Sequence, residues 1–301
     1  MKTYLDCIPC FFKQALESSR IAGASKKKQK IILEQIAGQI PRFSLHHCPP
    51  QMARTINLIL QNVTGNRDIY FQIKKKSNAL ALGIYERLRS KLMHSPNRLL
   101  TAVELAIAGN IIDYGVKNSL DVDAELMKIL DEENRRIKKE NKAIFDFLKF
   151  KQVLKQAKTI LYLADNAGET VFDRILIEEI RRIDIKKDII YAVKEKPVIN
   201  DALIEDAFHS GIDKIAKVIS SGSDAPGTIL SLCSKAFLRI YKKADMVISK
   251  GQGNFEALSQ AKRPIFFLFM AKCPVIAENV GCRIGDIILK YHNNKKTRVN
   301  L

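Results

Sequence analysis

The sequence predicts an α/β protein with two parts. They are a helical N-terminal domain, residues 1–150, and an α/β domain, residues 151–301, built on a doubly wound, mainly parallel sheet with helices on both faces. Up to residue 150, apolar residues recur at spacings of three and four, and no strand pattern is present. Beyond it, short apolar runs rich in β-branched and aromatic residues alternate with stretches of helical periodicity. A chain of 301 residues that is 47% hydrophobic is large enough for both cores.

The helical domain is predicted from five amphipathic stretches. They cover residues 10–21, 30–40, 77–92, 99–110 and 124–148. Charged residues lace the segments 73–92 and 127–148, a pattern that more often marks solvated helix faces than binding surfaces. We therefore expect these helices to be mainly structural.

The α/β domain is predicted from five strands with helices between them. The strands cover residues 159–164, 188–193, 216–220, 246–249 and 264–269, and the helices cover 170–182, 201–209, 226–241, 254–261 and 274–280. Near-continuous apolar runs are typical of strands that are buried on both faces. In open sheets of this kind, ligands bind in a crevice at the carboxyl ends of the strands, where the strand order reverses.

A polar or charged cluster follows each predicted strand. The clusters lie at residues 165–169, 194–201, 220–224, 250–254 and 272–273. Because parallel strands end at the same edge of a sheet, we expect all five clusters to face one crevice. This shared location gives the clusters a functional meaning that none of them has alone.

The acidic and amide residues of these clusters predict a divalent metal site. Carboxylate and amide oxygens are hard ligands suited to Mg²⁺ or Mn²⁺, and they also accommodate Co²⁺ and Ni²⁺. Asp165, Asn166 and Asp201 are the candidate metal ligands, and Glu169 is a candidate general base. The alternative for each Asp or Asn is a helix N-cap, and the alternative for Glu169 is stabilisation of a helix N-terminus.

The glycines and lysines of the clusters predict a phosphate site. Gly251 and Gly253, followed by Asn254, would let the backbone approach a ligand, with N–H groups at the start of the next helix pointing at an anion. Lys250 and Lys272 would add positive charge around a phosphoryl group. Without a ligand, the glycines are ordinary turn residues and Lys272 is a solvated surface lysine.

Further candidates come from the helical domain. Gly109, Asn110 and Asp113 interrupt an apolar helix, which lowers helix stability and invites a functional explanation. Asn110 and Asp113 either line the substrate crevice or cap adjoining helices. Weaker candidates for the same crevice are Asp68, Tyr70, Lys74 and Asn78.

Several of these segments resemble the damage-control phosphatase family. The resemblance runs from about residue 6 to residue 284 and rests on LADNAGETVFD, KPVINDA, ADMVISKGQGNFEAL and FMAKCPVIAENV, together with DCIPCFFKQAL and AIAGNIIDYG. It implies a divalent-metal-dependent phosphatase acting on small phosphorylated metabolites, such as sugar phosphates or damaged phosphometabolites. It also implies that Asp165, Asn166 and Asp201 bind the metal, and that Lys250 and Lys272 contact the phosphate.

Two other classes of function stay open. One is a SAM-dependent carboxyl methyltransferase, a label attached to some relatives; residues 165–169 offer one glycine after a carboxylate rather than the usual G-x-G-x-x-G turn, which favours the phosphatase. The other is a basic nucleic-acid-binding protein, because the net charge is +18. The basic residues are spread through the helices and there is no Trp, so this alternative is weaker.

The sequence also leaves two phosphatase mechanisms open. In the first, the metal polarises the phosphoryl group and orients an attacking water. In the second, Asp165 attacks phosphorus directly and forms an aspartyl-phosphate.

The N-terminal cysteines have two interpretations. By resemblance, Cys7 and Cys10 point to the small, stand-alone microbial members of the family, and their spacing is that of zinc sites and redox motifs. A zinc site requires that the fold bring Cys48, with His46 and His47, close to them. Otherwise Cys7 and Cys10 are buried or form a local disulfide, and the isolated thiols are Cys233, Cys273 and Cys282.

The remaining expectations concern location and surface. No apolar run approaches the roughly 20 residues that cross a bilayer, and no apolar signal region follows Met1. We therefore expect a cytoplasmic protein whose partner is a small phosphorylated metabolite. A lysine-rich surface also suits a heat-stable protein. The oligomeric state stays open.

Overall fold

The computed structural model describes residues 1–109 and 144–294. Asn110 and Asp113, the two candidates from the interrupted helix, lie outside these residues, and so does most of the predicted helix at 124–148.

Six helices precede the first strand in the described part of the chain. They are α1 (Cys7–Ile21), α2 (Lys26–Gln39), α3 (Pro49–Thr64), α4 (Phe71–His94), α5 (Arg98–Ala108) and α6 (Phe147–Gln156). Local signals set several ends: the Ser25 side chain accepts the Lys28 N–H to cap α2, and Gly65 ends α3 in the left-handed conformation.

The second half alternates strands and helices as the apolar pattern predicts. The order is β1 (Thr159–Leu163), α7 (Glu169–Ile183), β2 (Asp188–Val193), α8 (Ile204–His209), β3 (Lys217–Ser220), α9 (Lys235–Lys243), β4 (Met246–Lys250), α10 (Gln252–Leu258), β5 (Ile265–Met270), α11 (Pro274–Val280) and β6 (Ile287–His292).

These strands form one six-stranded sheet in the order β3-β2-β1-β4-β5-β6. The first five are parallel, and β6 pairs antiparallel with β5 at the edge. The predicted α/β class with a doubly wound, mainly parallel sheet is therefore confirmed. The strand order reverses between β1 and β4, so the crevice expected at a reversal lies between the ends of these two strands.

Alternate residues of each strand enter different cores. On β1, Ile160 and Tyr162 pack with α4, α5 and α7, whereas Leu161 and Leu163 pack with α9, α10 and α11. Burial on both faces explains the continuous apolar runs of the sequence. The helices α1, α2 and α3 form a third, separate cluster.

The helical part is not wholly separate from the sheet. Residues of α4 and α5 share the hydrophobic core that covers one face of the sheet, and α6 spans the predicted boundary at residue 150. A Cβ at Gly109 would lie 2.9 Å from the Phe172 ring, so the end of α5 lies directly against α7. The division of the chain at residue 150 stays a prediction.

The structure adds two elements that the sequence did not predict and shortens a predicted helix. The helix α3 and the edge strand β6 were not predicted. The predicted helix at 226–241 is wrong over its first half: Gly227 adopts φ +67°, and a Cβ there would lie 2.3 Å from the Gly253 carbonyl oxygen. At Gly227 the chain therefore packs closely against the first turn of α10, and α9 begins only at Lys235.

Candidate active site

The loops after β1 and β4 lie against each other at the strand-order reversal. Gly251, directly after β4, has φ +81°, and a Cβ built on it would lie 1.9 Å from Asp165 Oδ2. Only glycine therefore allows the β4 loop to lie beside this carboxylate. The predicted role of Gly251 as a point of close backbone approach fits this geometry.

The loop after β2 brings Asp201 to the same place. Asn166 and Asp201 form an isolated antiparallel bridge, and the Ala202 N–H donates to the Asp165 carbonyl over 2.8 Å. This pairing explains why α8 begins at Ile204 rather than at residue 201 as the sequence predicts. The three candidate metal ligands are thereby held together by main-chain contacts.

Ile199 turns this loop toward the crevice. It has φ +46°, which is rare and costly for a β-branched residue. Its side chain packs against the cluster of α1, α2 and α3. Residues in such conformations persist where the surrounding structure over-determines them, and they concentrate at functional sites.

Asn166 lies between two carboxylates. Its Nδ2 donates to Glu169 Oε1 over 3.0 Å and approaches Asp165 Oδ2 at 3.4 Å. All three side chains are buried. The carbonyl oxygen Oδ1 of Asn166 therefore points in a different direction from these two acids.

Lys250 is buried and bound to two acids. Its Nζ lies 3.0 Å from Glu169 Oε2 and 2.8 Å from Asp173 Oδ1, and the residue is 1% exposed. Burial opposes the charged form, but the carboxylates of Asp173 and Glu169 outweigh it and hold the pKa of Lys250 above its usual range. The Lys250 ammonium thus faces two acids in this structure, and its contact with phosphate stays a prediction.

Two further lysines border the crevice. The Nζ of Lys194, which is buried, donates to the Gly227 carbonyl oxygen over 2.7 Å and lies 3.5 Å from Asp201 Oδ2. Lys272 is exposed, and its positive charge acts on Asp165. Lys272 is therefore the predicted phosphate ligand whose ammonium is accessible.

The candidate ligand Asp165 has a strongly perturbed acid–base equilibrium. Burial raises its pKa well above the usual range, and the negative charges of Glu169 and Asp201 raise it further. Lys272 and Lys250 oppose this rise without cancelling it. A strongly perturbed carboxyl in a crevice is typical of a functional site.

The described part of the site holds more negative than positive charge. Four buried side chains are carboxylates, Asp165, Glu169, Asp173 and Asp201, and two are ammonium groups, Lys194 and Lys250. The difference between four and two is a formal surplus of two negative charges. A surplus of one sign of charge is costly to bury.

Asn254 and Gly253 support the loops. Asn254 is fully buried, its Nδ2 donates to the carbonyl oxygens of Ala164 and Lys250, and its Oδ1 accepts from Thr228. These bonds join the ends of β1 and β4. The contact of Asn254 with substrate stays a prediction.

The cysteines do not build a metal site in the described part of the chain. All six are free thiols, Cys7 is partly buried and Cys10 is exposed, so the predicted local disulfide is wrong. Within residues 1–109 and 144–294, no group of three or more His, Cys, Asp or Glu side chains has the arrangement of a metal site. The donor set of the crevice is instead two carboxylates and one amide.

The helix α3 crosses the loops at the crevice. Arg54 binds Asp224 through two bonds of 2.6 and 2.9 Å, and Asn57 and Gln61 both donate to the Pro197 carbonyl oxygen. The loops after β2 and β3 are thereby tied to the helical part. Sequence analysis missed this contact because it did not predict α3.

The weaker candidates from the helical domain make separate polar contacts, one of them with α8. Lys74 Nζ lies 2.8 Å from Asp68 Oδ2, and Asn78 Nδ2 donates to Asp206 Oδ1 over 2.7 Å. Tyr70 shares a hydrogen bond with Ser18. Their predicted place along the crevice is untested.

Sequence analysis also missed Asp173, Tyr162 and Tyr191. Both tyrosine hydroxyls donate to Asp173 over 2.7 Å, and Asp173 in turn accepts from Lys250. The available signal was an acid on the buried face of α7, one helical turn after Glu169.

The sequence profile described as the damage-control phosphatase ARMT1-like domain matches residues 3–288 of this chain. The chain therefore belongs to the ARMT1-like damage-control phosphatases, as the motifs predict. It is an enzyme of the phosphatase class.

Individual relatives agree with this assignment. The chain is 34% identical over 292 residues to a damage-control phosphatase of Pyrococcus horikoshii, covering 96% of this chain and 97% of that one. It is 32% identical over 241 residues to a damage-control phosphatase of Archaeoglobus fulgidus, covering 79% and 81%. The crystal structure of a DUF89 family protein from Pyrococcus horikoshii superposes with a TM-score of 0.86 at 32% identity, covering 97% and 100%.

None of the helices within the described ranges has both the length and the apolar character that a membrane span requires.

Proposed function

We propose that this enzyme is a divalent-metal-dependent phosphomonoester phosphatase whose metal is held by Asp165, Asn166 and Asp201. The observation that carries the proposal is the buried surplus of two negative charges in the described part of the crevice. A divalent cation would match that surplus and relieve the repulsion that raises the pKa of Asp165.

The donor set supports Mg²⁺, Mn²⁺, Co²⁺ or Ni²⁺ as the metal. Two carboxylates and an amide oxygen are hard ligands, and Mg²⁺ in particular takes only one or two carboxylates beside water and substrate oxygens. When bound, such a cation polarises a phosphoryl group and lowers the pKa of a bound water.

We assign the remaining site residues either to contact with the phosphate or to positioning of the residues around it. Lys272 is exposed and its charge reaches Asp165, so we assign it the phosphate contact. Gly251 admits the β4 backbone to the same place. Lys250 and Glu169 are bonded to each other, and Glu169 also accepts from Asn166, so we assign both to positioning rather than to phosphate contact and general base catalysis.

The substrate proposed is a small phosphorylated metabolite, with sugar phosphates and damaged phosphometabolites as the first candidates. The similarity to proteins named damage-control phosphatases supports this class. A cytoplasmic location and a heat-stable fold are further predictions from the sequence.

The test is phosphate release from p-nitrophenyl phosphate and a panel of sugar phosphates. Metal-stripped protein is re-supplied with each of the four cations, beside Asp165→Ala and the matched control Asp188→Ala, an exposed aspartate at the amino end of β2. We expect turnover only with metal, a loss of about 10³-fold in Asp165→Ala and none in the control. Metal-independent turnover, or an active Asp165→Ala enzyme, would overturn the proposal.

The same protein preparations distinguish the two phosphatase mechanisms and test the methyltransferase and nucleic-acid-binding alternatives. Acid quench during turnover with ³²P-labelled substrate traps label on the protein if Asp165 forms an aspartyl-phosphate, and leaves the protein unlabelled if water attacks directly. Incubation with methyl-labelled SAM tests the methyltransferase alternative. Retention on a DNA or RNA column that falls with salt would favour nucleic-acid binding.

A further inference from the structure

A buried chain of side chains extends from Asn166 into the centre of the sheet. Asn166 Nδ2 donates to Glu169 Oε1, and Lys250 Nζ joins Glu169 Oε2 to Asp173 Oδ1. Beyond Asp173, the chain ends in the tyrosine pair described above. Glu169, Lys250 and Asp173 are at most 2% exposed, so water does not compete for these bonds.

The hydroxyls of the tyrosine pair fix the Asp173 carboxylate by hydrogen bonds. Tyr162 on β1 and Tyr191 on β2 are register partners in the sheet, and their rings stack with centroids 5.3 Å apart. Tyr162 donates to Oδ1 of Asp173 and Tyr191 donates to Oδ2, each over 2.7 Å. Both oxygens of Asp173 are therefore tied to two neighbouring strands of the sheet, β1 and β2, which are rigid elements.

The direction of each bond in the chain is set by charge. Burial and the nearby Asp173 carboxylate raise the pKa of both tyrosines well above the usual range, so the hydroxyls stay protonated and donate. Lys250 has only hydrogens to donate, and Glu169 accepts on both oxygens. The Nδ2 group of Asn166 is thus drawn toward Glu169, which directs the Oδ1 atom elsewhere.

We propose that Asp173 is a positioning residue for Asn166: through Lys250 and Glu169, it fixes the side-chain orientation in which the Asn166 carbonyl oxygen is presented to the cation. The inference rests on the proposed metal site. Partners that orient a metal ligand in this way commonly change metal affinity by about 10- to 100-fold when they are removed.

A purely structural role explains the arrangement less well. Buried ion pairs add little stability compared with apolar residues of similar volume, because both charges must leave water. The position of the chain, ending on a candidate ligand, is what a positioning role requires.

The experiment measures Mn²⁺ binding by titration calorimetry, without substrate or turnover. We expect Asp173→Asn to bind Mn²⁺ about 10-fold or more weakly than the unmodified enzyme. The matched control is Glu179→Gln on the same helix: Glu179 is also a buried acid, but it binds Arg98 and Arg182, away from the crevice. We expect this control to lose thermal stability and keep its Mn²⁺ affinity.

Each outcome separates this inference from the function it rests on. If the unmodified enzyme binds no Mn²⁺, the metal proposal fails and the positioning role falls with it. If Asp173→Asn binds Mn²⁺ as the unmodified enzyme does, or if Glu179→Gln weakens binding equally, the positioning role is overturned while the metal site stands.

A milder variant covers the case in which Asp173→Asn does not fold. Tyr191→Phe removes one hydrogen bond to Asp173 and keeps the ring in place. We expect its Mn²⁺ affinity to fall between that of the unmodified enzyme and that expected for Asp173→Asn. Unchanged affinity in folded Tyr191→Phe would count as the overturning result.

Discussion

Gly251 is the residue at which the loops after β1 and β4 come closest. Its φ of +81° with ψ of 158° is a conformation that is essentially restricted to glycine, and the carboxylate of Asp165 occupies the space that a Cβ would need. Gly281, at the end of α11, has nearly the same φ of +79°, but a Cβ added there would meet no atom within 4 Å. Gly281, with ψ of 44°, therefore shows the ordinary cost of a positive φ, whereas Gly251 combines a glycine-only backbone conformation with loss of space.

We expect Gly281→Ala, at a residue in the left-handed helical region, to lower the free energy of unfolding by about 1 kcal/mol, and Gly251→Ala, at a residue in a glycine-only conformation, to lower it by more. Only Gly251→Ala should also displace Asp165, and a shift of this size lowers kcat/KM by about 10²-fold. Urea unfolding and phosphatase assays on both variants provide the comparison. Equal activity in the two variants would show that the close approach is not needed.

Glu256 on α10 is a second residue with a testable property, because its shifted pKa makes the stability of the fold depend on pH. Burial raises the pKa of its carboxyl to about 7, although the Gln252 amide, which donates to it over 2.9 Å, works in the opposite direction. In the unfolded chain the pKa of this carboxyl returns to about 4.5. The folded state therefore favours the protonated acid, and stability is lost as the pH rises between these two values.

We expect Glu256→Gln to unfold at pH 8 with a free energy higher than that of the unmodified enzyme by at most about 3 kcal/mol. At pH 4 the two proteins should be nearly equal, because the acid is then protonated in both states. Urea unfolding at pH 4, 6 and 8 measures this trend. A difference that does not grow with pH would contradict the assignment.

At the scale of elements, α3 connects the helical part to the crevice. The Arg54–Asp224 pair has two charge-assisted bonds and is only partly exposed. Its partner, Asp224, follows β3. The bond to Arg54 lowers the pKa of Asp224, so the pair contributes at neutral pH and is lost as the pH falls through that lowered value.

We expect Arg54→Met, which keeps an apolar stem, to lower the free energy of unfolding by about 1 kcal/mol at pH 7 and by less at pH 3. The matched control is Lys30→Met, because Lys30 and Glu34 form an exposed pair on one helix with an N–O distance of 3.6 Å. That control should change little at either pH. An equal effect of Arg54→Met at both pH values would assign it to packing alone.

The strands and helices also show where sequence patterns predict secondary structure correctly and where they do not. The buried strands were predictable because apolar runs with β-branched residues are a local property. The antiparallel β6 was missed although Ile287–His292 contains apolar residues, because its pairing with β5 depends on how the chain returns to the sheet edge. The prediction of a helix at 226–241 was wrong over its first half because close contact of Gly227 with the first turn of α10 outweighs local periodicity.

At the scale of the whole molecule, a metal that binds only the folded state must stabilise the entire chain. At a free concentration 100 times its Kd, such a ligand adds about 2.7 kcal/mol to the free energy of unfolding. For a chain of this size, we expect Mn²⁺ to raise the Tm by several degrees. Thermal unfolding with Mn²⁺, and again after EDTA is added, measures the effect.

The control for this prediction is Asp165→Ala in the same two buffers. It should show no rise in Tm, because it lacks one of the proposed ligands. A similar rise in both proteins would mean that Mn²⁺ binds elsewhere on the chain.

Some features of the candidate site could be predicted from the sequence, and others depend on the tertiary fold. The alternation of strands and helices, the polar cluster after each strand and the family could be read from the sequence, because periodicity and motifs are carried by neighbouring residues. Which polar residues meet depends instead on the tertiary fold. Lys250 binds Asp173, 77 positions earlier, because the sheet places β4 beside β1, and the packing of α7 on these strands turns the acid toward the lysine.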